Sequence, residues 1–258
     1  MLDYIANCFL IFSDDFIIIP LFILGFIWYD RTIFYHVACL ILLSILLNVA
    51  LKVSFQVPLS PLLNKKGFAF PSGHMQLVTV FYGWLAYQIK NKWLTSLIIV
   101  LLIGIAFSLV HFNYHNYYDI IGGVIVAVLL LSFYLIALLK VPQKLPWFCL
   151  ALATLLMIYI AFYYGQIEFY VWTAYYTLCG FVVAEKIAGK KMIEMLRAHK
   201  LLATLLCFLI VGLIHTFFRY EVGPYYAVYI YELQWLLIGF FIPFSTLCAI
   251  KLICSKTK

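Results

Sequence analysis

Charge is what this sequence has least of. Aspartate, glutamate, lysine and arginine together make up 10% of its 258 residues, against about 25% in an ordinary soluble chain. Hydrophobic residues reach 67% and the mean hydropathy is +1.08, so a soluble globular domain is excluded. Arginine is scarcer still, with only Arg31, Arg197 and Arg219 in the whole chain. Cysteine is present, but no pair has CxxC spacing, and Cys8, Cys39, Cys149, Cys179, Cys207, Cys248 and Cys254 all lie in or beside apolar runs. That pattern describes small hydrophobic packing residues rather than a disulfide framework or a metal site. No Asn-x-Ser/Thr sequon occurs. Asp3 stands near the start with no basic region ahead of an apolar run and a small-residue cleavage site, which argues against a removed signal peptide.

What remains is long apolar segments. A bilayer core takes roughly 20 apolar residues per helix, and on that measure the chain holds about nine spans, near 8–29, 33–51, 74–89, 93–110, 117–139, 147–165, 169–184, 201–218 and 227–250. The expected fold class is all-α, a polytopic transmembrane helix bundle. Asp14 and Asp15 interrupt the first span and are expected to mark its outer end. With the N-terminus outside and each span crossing once, thirteen lysines and arginines fall on the inner face. Four, Lys52, Lys65, Lys66 and Arg219, fall on the outer face. This is the positive-inside bias of a membrane protein. The net charge of +7 then needs no nucleic-acid partner, because lysines facing anionic inner-leaflet lipid account for it.

Two short stretches stand out against this background. Pro71-Ser72-Gly73-His74 ends the loop 53–71, which is broken by Pro58, Pro61 and Gly67 and carries Lys65 and Lys66. The next apolar span begins at once, so Ser72 is placed to cap it, and a capped helix start presents free N–H groups to an anion. The second stretch is His115-Asn116-Tyr117-Tyr118-Asp119. Its histidine and aspartate are four apart at the start of a span and therefore share a face. Asp119 can hold one ring nitrogen of His115 and leave the other free as a nucleophile. Both stretches fall on the outer side, where ionisable groups beside apolar segments are functional candidates by default. His111, four residues before His115, is read as an interfacial histidine. Aromatics such as Tyr163, Tyr164, Tyr170 and Trp172 crowd the same side, as interfacial belts do. No stretch of similar quality lies beyond residue 140, which divides the chain into a motif-bearing part, 1–140, and additional helices, 141–258.

Over roughly residues 50–125 the chain resembles the type 2 phosphatidic acid phosphatase superfamily. The family pattern is a lysine followed seven residues later by Arg-Pro, then Pro-Ser-Gly-His, then Ser-Arg with His-x-x-x-Asp six residues beyond the arginine. Lys52, Pro71-Ser72-Gly73-His74, Ser108, His115 and Asp119 match it. Both arginines are missing: Leu59 and Ser60 stand in place of Arg-Pro, and Leu109 follows Ser108. The resemblance implies a phosphatase or phosphotransferase acting on a membrane lipid phosphate or diphosphate, without a metal or cofactor. His115 would be the nucleophile, Asp119 its orienter, and His74 the acid that protonates the leaving oxygen and then activates water. Lys52 and the backbone of Ser72 and Gly73 would bind phosphate oxygens, with Lys65, Lys66 or Arg219 supplying part of the lost positive charge. Lysine does not reproduce the planar fork of arginine, so the departures favour a diester or diphosphate over a dianionic monoester. Sphingomyelin-synthase-like phosphotransferases, which keep the His/His/Asp set without those arginines, are the precedent. The expected location is a bacterial inner membrane with the active site facing outward. The alternative is a non-catalytic relative that binds or transports lipid through its extra spans.

Overall fold

The computed structural model describes residues 1–61, 67–165, 167–195, 200–222 and 227–254, with side chains described outside 188–199 and 245–254. It is 86% helical, with no strand among the described residues. The first span begins as α1 (Leu2–Leu10), passes through a single 3-10 turn (Ile11–Ser13), and continues as α2 (Asp15–Leu24) into a π turn (Gly25–Tyr29). The two halves meet at a bend of 44°. Asp14 therefore lies at the junction of the two helices. The helix starts at Leu2 and its nine residues, about two and a half turns, pack against α5: a Cβ on Gly104 would fall on the Phe9 ring.

α3 (Arg31–Phe55) runs through the centre, capped by Asp30, whose side chain accepts from the Ile33 N–H, and closed by Gln56 at φ 51. α4 (Gly73–Ile89), α5 (Lys92–His111), α6 (Tyr117–Lys140) and α7 (Leu145–Tyr164) follow. α8 (Phe169–Met195), α9 (Lys200–Phe217), the short α10 (Val228–Tyr231) and α11 (Gln234–Cys254) complete the bundle. α3 packs against α4, α7 and α8; α4 packs against α5 and α6; α8 and α9 both pack on α11. Gly180 and Gly239 allow α8 and α11 to cross with their backbones in contact, since a Cβ at either would overlap the other helix's main chain.

Among the described residues, five helices are long and apolar enough to cross a membrane, or six if the bent α1–α2 pair is one span. That is fewer than about nine: α4 falls out by length and α8 by composition, while α11, whose side chains are described only to residue 244, counts as part of a shorter apolar helix, Val228–Phe244. α4 has only 17 residues and buries Gln76 and Thr79. α8 is long, but Tyr170, Trp172, Tyr175, Tyr176, Glu185 and Lys186 lower its hydropathy.

The two ends of the bundle differ in chemistry. At one end Arg31 pairs with Glu185 at 2.7 Å, Lys186 donates to the Gln143 carbonyl at 3.3 Å, and Lys200 donates to the Trp28 carbonyl at 2.9 Å. At the other end lie the finish of α3, the starts of α4 and α6, and the finish of α7, and here the two histidine motifs meet.

Candidate active site

The loop after α3 folds back on itself. Leu59 N–H donates to the Gly67 carbonyl at 3.1 Å and Ala69 N–H to the Val57 carbonyl at 2.8 Å. This narrow ribbon delivers the chain to Ser72, which caps α4 by accepting from the Met75 N–H at 3.4 Å. Beneath it a buried polar chain ties α4 to α3. Gln76 donates to the Ser44 carbonyl and hydroxyl, both at 2.9 Å, and accepts from Asn48 Nδ2 at 2.9 Å; Asn48 Nδ2 also donates to the Pro71 carbonyl at 3.2 Å. Each of these amides is held by two or more partners, so the start of α4 has one position relative to α3.

The second motif is built at the start of α6. Asn116 and Asp119 form a capping box: Asn116 Oδ1 accepts from the Asp119 N–H at 2.9 Å, and Asp119 Oδ2 accepts from the Asn116 N–H at 3.1 Å. The same Asp119 oxygen lies 3.4 Å from His115 Nδ1. Asp119 therefore serves both the helix start and the histidine, and its single contact with Nδ1 leaves Nε2 free. Its carbonyl also accepts from the Ser72 N–H at 3.0 Å, which locks the two motifs together. That approach needs a residue without a side chain on α6: a Cβ at Gly123 would stand 2.7 Å from the Ser72 carbonyl oxygen.

These elements enclose a cavity of about 520 Å³ lined by Lys52, Gly73, His74 and His115. The structure thus brings four of the expected residues to one cavity. His74 is exposed to the cavity, while the His115 side chain is 8% exposed. Burial, with the Lys52 ammonium adding to it, holds His115 down at about 4; Asp119 pulls in the opposite direction without overcoming them. His115 is accordingly neutral at neutral pH, as a nucleophile must be.

Other expected residues lie elsewhere. Ser72 is fully buried, with its hydroxyl on the helix cap and its N–H on the Asp119 carbonyl, so neither group is left for a phosphate oxygen. Arg219 is exposed on the π turn after α9 (Phe218–Val222) and does not line the cavity, because α9 packs on α11, away from α3 and α4. Lys65 and Lys66 lie outside the described residues. Lys52 is then the one lysine or arginine among the described residues that lines the cavity. Leu59, in the place of one family arginine, lines it as an apolar patch, and Leu109, in the place of the other, is buried in the core. His111 faces Asp3 at 2.7 Å and stacks on Phe107, tying α1 to α5.

The cavity also holds residues that the sequence did not single out for it. Asp14, Asp15 and Glu168 line it, as do Ser44, Asn48, Tyr164 and Tyr170. Asp14 and Asp15 carried a signal, two adjacent carboxylates inside an apolar run. Nothing local connected Asn48 or Glu168 to the motifs.

Residues 32–142 match the family model described as the PAP2 superfamily, a stretch that contains every motif residue named above. No curated protein and no solved structure matches the chain.

Proposed function

We propose, on the match of residues 32–142 to the PAP2 superfamily model, that the protein is an integral membrane phosphatase or phosphotransferase acting on a lipid-linked phosphoester through a phosphohistidine. The observation that carries this reading is the convergence of Lys52, His74 and His115 on one cavity, with Asp119 at the Nδ1 side of His115.

Phosphoryl transfer asks the protein mainly for position and for positive charge around the equatorial oxygens. His115 Nε2 attacks phosphorus in line, and the bond from phosphorus to the leaving oxygen breaks as His74 gives that oxygen its proton. Lys52 and the free N–H groups in the first turn of α4 hold the equatorial oxygens, the helix start adding its positive dipole end. Asp119 keeps the imidazole oriented and stabilises the positive charge that the ring gains on attack. In the second half His74 takes a proton from the acceptor, which is water in hydrolysis or an alcohol in transfer. The acceptor oxygen bonds to phosphorus and the bond to His115 breaks. With one described lysine in place of two arginines, the site suits a diester or diphosphate better than a dianionic monoester.

The lysine-rich end of the bundle is opposite the cavity, so a positive-inside arrangement turns the cavity outward. The test is trapping with a labelled lipid phosphate: acid-labile label on the wild-type chain, absent in His115→Ala, supports the reading. Full turnover by His115→Ala removes it, and lipid binding without release by any variant favours the non-catalytic alternative.

A further inference from the structure

The additional helices bury a carboxylate that the phosphoryl-transfer site does not use. Glu232, in the turn between α10 and α11, is 3% exposed. It accepts from Thr173 Oγ1 of α8 at 2.6 Å and lies beside the Trp235 indole, both neutral groups. Among the described residues no lysine, arginine or histidine forms an ion pair with it. His215 of α9, which faces Trp235 with ring centroids 6.4 Å apart, acts on it only from a distance. Nor is the carboxylate needed as a cap for α11, because the Trp235 and Leu236 N–H groups donate to the Glu232 and Leu233 carbonyls, each at 3.0 Å. Buried carboxylates are otherwise paired or bound to a cation, and one carried by membrane helices is a functional candidate by default.

A second observation is independent of the carboxylate. Gln234 is 1% exposed, and its Oε1 is buried with no donor among the described residues; the Thr177 hydroxyl on α8 is buried without a partner as well. Two contacts bracket both atoms. Thr173 meets Glu232 one turn before Thr177 on α8, and a Cβ on Gly239 would overlap the Thr177 carbonyl. Thr173, Thr177 and Gly180 therefore form one face of α8 that meets α11, and Gln234 lies between the two levels. The place offers oxygen atoms of a carboxylate, an amide and a hydroxyl, which suit a hard cation. A proton on Glu232 would leave Gln234 Oε1 unsatisfied, whereas a cation serves both. One formal negative charge balances one positive charge, and a divalent ion would leave a buried surplus.

We propose that the turn opening α11 and the facing turn of α8 form a second binding site, for an alkali-metal ion, held by Glu232, Gln234 Oε1 and the Thr177 hydroxyl, with Thr173 orienting the carboxylate. The site lies at the same end of the bundle as the histidine cavity, because Tyr170, three residues before Thr173, lines that cavity. It gives the additional helices a ligand of their own, independent of the phosphoryl-transfer reading.

The test uses the full chain in nanodiscs and dicyclohexylcarbodiimide, which modifies a protonated carboxyl in an apolar site. Peptide-resolved labelling at Glu232 is expected in choline chloride. Na+ or K+ at equal ionic strength should slow it at least about fivefold and raise Tm, as a ligand of the folded state does. Glu232→Gln should lose the salt-specific rise in Tm, and that loss supports the site even where the reagent does not reach it. Gln234→Leu should need at least about tenfold more salt for the same protection or the same rise, having lost one oxygen ligand. A purely structural Gln234 would leave the salt response unchanged, which overturns the proposal. Labelling that neither ion slows, with no salt-specific rise in Tm, also overturns it, since a proton or a bound water then takes the place of the ion. No labelling and no salt-specific rise, as pairing of Glu232 with His215 would give, overturns it as well.

Discussion

Lys52 and Asp119 act on His115 with opposite sign, and the balance between them is open to measurement. Burial and Lys52 push the imidazole toward its neutral form and Asp119 toward its protonated form, with the net value held down at about 4. Removing the ammonium in Lys52→Met should raise the value, so the acid limb of His115 reactivity moves to higher pH. Removing the carboxylate charge in Asp119→Asn should move it lower. Peptide-resolved carbethoxylation of His115 across pH 4–8 reads both shifts without relying on turnover, and a shift of either variant in the reverse direction would count against the geometry. Ser72 teaches a different lesson at this scale. Its hydroxyl caps α4 and its N–H meets Asp119, so Ser72→Ala should cost about 1 kcal/mol of stability, seen as a lowered Tm. Its place in the motif and its role as helix cap were legible from sequence, whereas the meeting of its N–H with the Asp119 carbonyl was not. Helix capping and phosphate binding ask for the same residue type at the same position, and only the backbone path separates them.

At the scale of elements, the site is made by the closeness of α4 and α6. Gly123 carries that approach, and Gly123→Val places a branched side chain against the Ser72 carbonyl. The expected result is a loss of turnover of at least tenfold with His74, His115 and Asp119 all intact; turnover within twofold of wild type would show that the two helix starts need not touch. The amide chain through Gln76 is the second support. Gln76 is fully buried, and Gln76→Leu leaves Asn48 Nδ2 and the Ser44 carbonyl each short of a partner, at roughly 1–3 kcal/mol per unsatisfied group. Thermal unfolding in detergent should show it as a drop of several degrees. Neither role was visible in the sequence. Gln76 and Asn48 look like isolated polar residues in apolar runs until the helices that carry them are set side by side.

For the whole molecule, Arg31 joins the motif-bearing half to the additional helices. It reads in the sequence as one more inner-face cation, yet it is 8% exposed, pairs with Glu185 on α8 and stacks over the Phe26 ring at 4.6 Å. Arg31→Ala leaves Glu185 without its ion-pair partner, and loss of one member of a buried pair costs about 3–5 kcal/mol. A large fall in Tm, with His115 carbethoxylation unchanged in whatever fraction stays folded, is the expected outcome. At this scale the sequence alone determined the helical membrane fold, the family likeness of residues 32–142 and the residues of the two motifs, because hydropathy and motif spacing are properties of contiguous chain. Only the tertiary structure decided that Arg219 lies away from the cavity, that Asp14 and Asp15 sit at a bend between two helices and line the cavity, and that Asn48 and Glu168 share the space of the histidines. Those facts depend on which helices pack together, and packing is set by side chains far apart in the sequence, such as Gly123 against Ser72 and Arg31 against Glu185, whose partners no local pattern names.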